Sequence, residues 1–521
     1  MARNLREVLQ KWEAVIGLEI HTEITAAKTK MFCGCPVAFG GEPNTRVCPV
    51  CGGLPGALPV PNAAAVDWTV LCGLATNCDI ASWSQFHRKN YFYPDMPANY
   101  QISQYDKPFC TGGHLLVEVD EDGVTQRIDR ATAENVELAD DDASYVARIG
   151  VTRIHLEEDT GKMVHIGGAD GRITGATASM VDFNRAGTAL MELVTEPDLR
   201  TPEEARRFVQ KLRQIWLTLG VSDCSMEEGS MRCDGNISIR RRGSKELGTK
   251  AELKNMNSLK NLHDGIAYEI VRQARLIESG GFVTQETRHY DPTTHVTSAL
   301  RSKEMAHDYR YFPEPDIVPF EFSEEYVQSI AKRLPELPDQ RKARLMAELG
   351  LPAHDAGVLT ADVELAAYYD EALAAIGEER AHELAKPLAN LVLGDVSAHL
   401  NAAGIGAAQS AVSPAGTLEL VLLVDEGTIS GKQAKEVFAL MVESGASPGE
   451  IVEERGMKQL SDTGELEGII GAIVAANPDK VAAYRGGKTG LIGFFVGQVM
   501  KETKGQANPK LVNEILGRHL Q

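Results

Sequence analysis

Glu19, His21 and Glu23 recur with period two in the stretch Val15-Ile16-Gly17-Leu18-Glu19-Ile20-His21-Thr22-Glu23, and Ile16, Leu18 and Ile20 hold the alternate positions. As a strand, this stretch turns the apolar set to one face and the three ionisable residues to the other. Residues two apart on a strand stand roughly 6–7 Å from one another, so Glu19 and His21 can converge on one hydrated cation, or on a phosphate through it. The bland alternative is an edge strand whose polar face is only wet. A second set is more specific. Cys33-Gly34-Cys35 and Cys48-Pro49-Val50-Cys51 pair as C-x-C and C-x-x-C across a loop with Gly and Pro. That spacing lets four thiolates close tetrahedrally on Zn²⁺, and a site filled by four protein ligands is structural. Four buried free thiols are the competing reading.

Three further stretches carry chemistry. Phe86 to Pro97 mixes His87, Arg88 and Lys89 with Tyr91, Phe92 and Tyr93 and two prolines. It reads as a rigid loop in which charge and stacking hold a nucleotide or the end of an RNA, or as a loop merely pinned by its aromatics. In Ile154-His155-Leu156-Glu157-Glu158-Asp159-Thr160-Gly161 three acids end a strand in a turn, a place for a cation. Alternation puts His155 and Glu157 on one face and Glu158 on the other, and it leaves open which acid points inward. In Met180 to Val194 two short apolar strands flank Asn184-Arg185-Ala186-Gly187-Thr188. Arg185 there can clamp a phosphate or carboxylate. Glu192, an acid in an apolar run, needs a cation or an arginine as partner, because burying it alone is costly.

The elements that position these groups follow from periodicity and caps. Leu115–Val119, Ser144–Ile154 and the stretch around Ile237 read as strands. Thr201-Pro202-Glu203-Glu204 opens a helix with a capping box, whose buried stripe is Phe208, Leu212, Ile215 and Leu219 and whose stop is Gly220. A mostly antiparallel α+β domain is therefore expected over 1–325. Strand patterns then give way to helical spacing, with a helical domain over 326–410 and a second helical unit over 411–521. Ser430 caps a helix there whose face is Ala434, Val437, Phe438 and Met441.

The chain has 521 residues, 43% of them apolar, a formal net charge of −20 and nine cysteines. That charge excludes a protein coated with nucleic-acid-binding surface but not a local basic site. Such a site is expected near the end, where Lys480, Arg485, Lys488, Lys501, Lys504, Lys510 and Arg518 face few acids, a surface suited to an RNA backbone. No apolar run approaches a membrane span and Met1-Ala2-Arg3-Asn4 lacks an apolar signal region, so a soluble, cytoplasmic chain is expected. Gly161-Lys162 and Gly487-Lys488-Thr489 are not P-loops, since Leu156 and Ala482 stand where the earlier glycine belongs.

Seven motifs taken together, Val-Ile-Gly-Leu-Glu-Ile-His, Arg-Lys-Asn-Tyr-Phe-Tyr-Pro-Asp, Glu-Glu-Asp-Thr-Gly-Lys, Asp-Phe-Asn-Arg-Ala-Gly-Thr, Met-Glu-Glu-Gly-Ser-Met-Arg-Cys-Asp, Asp-Tyr-Arg-Tyr-Phe-Pro-Glu-Pro-Asp and Lys-Gly-Gln-Ala-Asn-Pro, resemble the B subunits of the aspartyl/glutamyl-tRNA amidotransferases, the GatB family. The resemblance covers nearly the whole chain. It implies a cradle domain, a helical domain and a YqeY-like tail that grips tRNA, and Arg485, Lys488, Lys501 and Lys504 of the basic stretch are the residues expected to contact it. It implies ATP-dependent phosphorylation of the Glu or Asp carboxylate on misacylated Glu-tRNA(Gln) or Asp-tRNA(Asn), then amidation by ammonia from an amidase subunit (GatA), with a small third subunit (GatC). It places Mg²⁺ on Glu19, His21, Glu158 and Glu192, and nucleotide contacts are expected of Arg185 and Lys89. Zinc on Cys33, Cys35, Cys48 and Cys51 is structural in this reading. Ala189 stands where the resemblance leads one to expect proline, which loosens that turn but removes no ligand. The rival reading from another class is a non-catalytic zinc adaptor that binds tRNA.

Overall fold

Both sides of the Trp12–Glu23 strand are paired, which settles its role as the middle of a sheet rather than an edge. It runs antiparallel to Ala189–Thr195 on one side and to Met231–Arg241 on the other. The computed structural model describes residues 2–120, 136–138, 144–167, 175–302, 309–457, 463–503 and 507–520. The chain divides into two compact units, Met1–Leu337 and Pro338–Gln521.

In the first unit a large sheet runs in the order Val296–Ser302, Glu286–Asp291, Ala251–Lys254, Met231–Arg241, Trp12–Glu23, Ala189–Thr195, Ser144–Glu158, Cys110–Asp120 and Asp79–Ile80. Neighbours are antiparallel except Ala251–Lys254 with Glu286–Asp291, so the expected antiparallel α+β class holds. Alternation decides the faces. Ala14, Ile16, Leu18 and Ile20 are fully buried in the core beneath the sheet, along with Phe208, Leu212 and Ile215 of the helix Pro202–Leu219 and Ile266 and Ile270 of the helix Leu259–Glu278. Each buried aliphatic side chain contributes about 1.5–3 kcal/mol, enough to hold the opposite, ionisable face in place.

The Pro202–Leu219 helix starts as its caps predict. The Thr201 hydroxyl accepts the Glu204 N–H at 3.1 Å, and Gly220 ends the helix with φ 75°. The Glu204 carboxylate takes the Arg200 N–H and the Tyr145 hydroxyl, so the reciprocal bond falls one residue upstream of the cap.

The segment expected as a rigid loop is partly a strand. His87–Asn90 pairs with Tyr100–Ser103 and with Phe312–Pro313. Arg88 holds this small sheet together by bonding Glu314 at 2.7 Å and Asp316 at 2.9 Å, partners too distant in sequence for a local pattern to reveal. The first unit also extends past the expected boundary at 325. Ile330 is buried in its core, and Tyr326 and Arg333 bond Asp67 at 2.6 and 2.8 Å.

The second unit is helical. One apolar core gathers residues from Leu345 to Val452 and a separate one gathers Leu466 to Leu520. The boundary expected at 410 therefore falls inside the first of these. The Tyr368 hydroxyl bonds the Val412 carbonyl and the Thr417 hydroxyl across it. Ser430 caps its helix as expected, with Ala434, Val437, Phe438 and Met441 buried. Among the described residues no helix is long and apolar enough to cross a membrane.

Candidate metal and nucleotide site on the sheet

Strand register assembles the site. His21 lies opposite Arg232 on one neighbour and opposite Glu192 on the other, and Glu192 in turn lies opposite His155. Glu157, two residues past His155, shares that face. A Glu192 oxygen sits 3.3 Å from His21 Nε2 and 3.2 Å from His155 Nε2, and His155 Nε2 lies 3.4 Å from Glu157. Ser103 donates its hydroxyl to Glu157 at 2.8 Å. His21, Glu157 and Glu192 each offer an atom within 4.8 Å of the others, a spacing that one cation could bridge. Glu192 thus finds two imidazoles as partners, rather than the arginine that was one of the two options.

The charges settle accordingly. Burial alone would raise Glu192, but His155 and His21 hold it well below the usual carboxylate range. Burial pushes both imidazoles down, and the carboxylates outweigh it. His21 ends above its ordinary value, and His155 is raised to about 9 by Glu192 and Glu157. Lys89, from the His87–Asn90 strand, also stays charged against burial because Glu157 and Glu192 face it. Its Nζ lies 5.1 Å from the centre of the Tyr309 ring.

The expected magnesium set is divided by this geometry. His21 and Glu192 converge. Glu19 lies on the same face one step back along the strand, its carboxylate accepting from Asn236 at 2.8 Å. Glu158 is not one of the three converging side chains. It accepts the Ile102 N–H at 3.0 Å and lines a cavity of about 240 Å³ beside Lys30, Cys33 and Cys51. Burial first, then the charges of Cys51 and Glu157, raise it to about 7. Glu157, which alternation paired with His155, takes the place in the cluster. Arg185 is committed to the turn beside the site. It donates to the Thr160 and Gly161 carbonyls at 3.0 and 3.2 Å and lies 3.6 Å from Asp159, which also binds Arg232 at 2.6 Å. The turn before Ala189 is closed, not loosened: the Thr188 N–H reaches the Arg185 carbonyl and the Gly187 N–H the Asp159 carbonyl, both at 2.9 Å. Gly187 has φ 85°, where a side chain is strained.

The four knuckle cysteines come together as their spacing predicts. All four sulfurs lie within 4.8 Å of one another, with Cys51 at 3.8 Å from Cys48 and 4.0 Å from Cys35. A tetrahedral ion with ~2.3 Å bonds to sulfur needs sulfurs about 3.8 Å apart, so the donor set fits a structural metal. Sequence reasoning missed Lys30, which is fully buried. It donates to Cys51 at 3.4 Å and to the Arg46 and Phe183 carbonyls at 2.8 and 3.1 Å. The Cys33 hydrogen bond, together with the Cys48 N–H and Lys30, draws the Cys51 thiol down to about 4. A surface scan for cations would not find Lys30; its signal is a lysine followed directly by Met31 and Phe32 before the first cysteine.

In the helical unit Lys488 and Lys501 are exposed, and Arg485 donates to the carbonyls of His519 and Leu520 at the end of the last helix. Lys504 lies outside the described residues.

Comparison with known proteins places these features in a family. Residues 14–328 match the GatB/GatE catalytic domain, and residues 370–520 match the GatB domain. The chain is 48% identical over 508 residues to the B subunit of the aspartyl/glutamyl-tRNA(Asn/Gln) amidotransferase of Carboxydothermus hydrogenoformans, covering 98% of each chain. It is 50% identical to the corresponding B subunit of Geotalea daltonii and 49% identical to that of Moorella thermoacetica, covering 98% of this chain and 100% of each relative.

Proposed function

The chain belongs to the GatB family, and from that premise we propose that it is the subunit of a tRNA-dependent amidotransferase that activates the carboxylate of Glu-tRNA(Gln), Asp-tRNA(Asn) or both and transfers ammonia to it. The carboxylate oxygen attacks the γ-phosphorus of ATP and ADP leaves. Ammonia then attacks the carbonyl carbon, phosphate leaves with the C–O electron pair, and a proton is lost to give the amide. A carboxylate resists ammonia directly, and phosphorylation supplies the leaving group.

The observation that carries this reading is the His21–Glu192–His155–Glu157 cluster with Lys89 above it. Its donors fit Mg²⁺: two carboxylates and an imidazole share one small space on a rigid sheet, and Lys89 supplies a further positive charge. Bound there, the ion would neutralise phosphoryl oxygens during transfer. His155 and Ser103 orient Glu157 and Glu192, and Arg185 and Arg232 hold the Asp159 turn at the edge of the site. Zinc at Cys33, Cys35, Cys48 and Cys51 would fix the knuckle.

Cys72, Cys78, Cys110, Cys224 and Cys233 are buried, and burial raises each thiol. Among the described residues no activated thiol is left over to hydrolyse glutamine. An amidase partner (GatA) would supply the ammonia, with a small subunit (GatC) completing the assembly. The exposed Lys488 and Lys501 suit contact with the tRNA backbone.

Two results test the metal assignment. Glu157→Gln should weaken Mn²⁺ binding, read by the loss of free-ion EPR signal, about tenfold or more, while Glu158→Gln should leave it within about twofold. The reverse order would return Glu158 to the ligand set. The affinity should also rise with pH. His21 must be neutral to bind an ion, and its raised proton affinity extends the competition above the ordinary imidazole range. Binding is thus weakest at low pH, where His21 is protonated, and strengthens by up to about tenfold per pH unit until pH passes the His21 value. A titration series from about pH 6 to 8.5 showing a flat affinity would remove His21 from the ligands.

A further inference from the structure

The loop between the two cysteine pairs is fastened to the turn that carries Arg185, and Asn44 makes the most bonds across. Its N–H bonds the Asp182 carboxylate at 3.0 Å, its side-chain amide donates to the Val181 carbonyl at 3.1 Å, and its side-chain oxygen accepts the Phe183 N–H at 2.8 Å. Asn184 answers from the turn, accepting the Arg46 N–H at 2.8 Å and donating to the Glu42 carbonyl at 2.7 Å. Beneath them Lys30 joins Cys51 to the Phe183 carbonyl. The far end of the turn rests on the knuckle as well. The Met31 N–H bonds the Gly187 carbonyl at 2.6 Å, and a Cβ at Gly187 would stand 3.3 Å from that of Cys51.

Residues 42–46 belong to no helix or strand. Such a loop is ordered by its ends, and four thiolates drawn onto one ion fix both of them. On the other side the turn leads to the site. Arg185 donates to the Thr160 and Gly161 carbonyls, the Gly187 N–H bonds the Asp159 carbonyl, and Asp159 aims Arg232, which stands opposite His21. A continuous run of hydrogen bonds therefore links the knuckle to the sheet face, although no cysteine belongs to the His21–Glu157–Glu192 cluster.

We propose that the knuckle is a metal-dependent strap on the site. With its ion bound it holds the 181–188 turn and the Arg185–Asp159–Arg232 clamp in place; with the ion withdrawn the turn opens and turnover falls, so zinc supply governs activity. The effect on turnover rests on the activation reading above, whereas the strap itself does not.

The test is Asn44→Gly in the assembled complex. Asn44 has φ 60°, a conformation glycine keeps without strain, so only the side chain is removed. The variant should retain its zinc, and because the cluster sits on the sheet itself its Mn²⁺ affinity should stay within about twofold. Backbone amide exchange across 159–161 and 183–188 should quicken by about tenfold or more. The kcat should fall by about tenfold, with the KM for ATP and for aminoacyl-tRNA within about twofold of the unaltered complex. In parallel, a zinc-selective chelator in excess Mg²⁺ should give the unaltered complex the same exchange pattern and the same loss of kcat, and added zinc should reverse both. That arm stands even where the variant fails to assemble. Exchange that neither change moves would overturn the strap. Faster exchange with kcat retained would overturn it too, leaving the knuckle a structural dock. An unaltered complex that forms no amide from ATP would overturn the activation reading, and the exchange measurements would still decide whether the strap holds the turn.

Discussion

Glu192→Ala is expected to abolish tRNA-dependent amide formation, lowering kcat/KM by about a thousandfold or more, and to remove high-affinity Mn²⁺ binding. The physical case is that this one carboxylate ties together three strands. It meets His21 at 3.3 Å and His155 at 3.2 Å, and both imidazoles are raised against burial chiefly because it faces them. Without it His21 loses its carboxylate partner and His155 keeps only Glu157, and breaking a buried pair by removing one partner costs about 3–5 kcal/mol. The two effects are separable. Glu192→Gln keeps the volume and an acceptor oxygen, so it should recover part of the thermal stability but little of the activity. Activity of Glu192→Ala within tenfold of the unaltered complex would show that the cluster is scaffolding alone.

The second large effect is expected at the knuckle. Replacing Cys48 and Cys51 together by alanine should remove the bound zinc, measured by atomic emission, and expose residues 33–51 to proteolysis. It also strips the buried ammonium of Lys30 of its thiolate, leaving only the Arg46 and Phe183 carbonyls as acceptors. An under-compensated buried charge added to the lost metal linkage should destabilise the first unit by about 3–5 kcal/mol. Lys30→Met in the same background removes that charge and should recover part of the loss. Mn²⁺ binding at the sheet should survive whenever the protein folds. Zinc retained at one equivalent would contradict the four-cysteine assignment.

What can be read from the residues is local. Period-two alternation sorts the faces of Trp12–Glu23 without error, and the C-x-C and C-x-x-C spacings bring the four sulfurs together. Non-local pairing is out of reach. His155 becomes the partner of Glu192 only through the register of Ala189–Thr195 on Ser144–Glu158, and that same register puts Glu157, opposite Leu190, on the site face. Resemblance favours Glu158, and alternation alone keeps Glu157 in play. The strand at His87–Asn90 looks like a loop because its stabilising partners Glu314 and Asp316 lie far along the chain. The break expected at 410 reflects a real loop with Gly404, Gly406, Ser410 and Ser413. Tyr368 reaches across it to Val412, and the separate core begins only with Leu466.

Activation of a tRNA-bound carboxylate on this sheet face is tested most directly by turnover of the complex with its partner subunits, Mg²⁺-ATP and Glu-tRNA(Gln) or Asp-tRNA(Asn), using ammonium chloride as the nitrogen donor so that no amidase step is required. The predicted result is ADP and amidated aminoacyl-tRNA in equal amounts, both lost in Glu192→Ala while tRNA binding persists. Bound tRNA with neither ADP nor amide from either substrate would contradict that activation and leave the adaptor reading in its place.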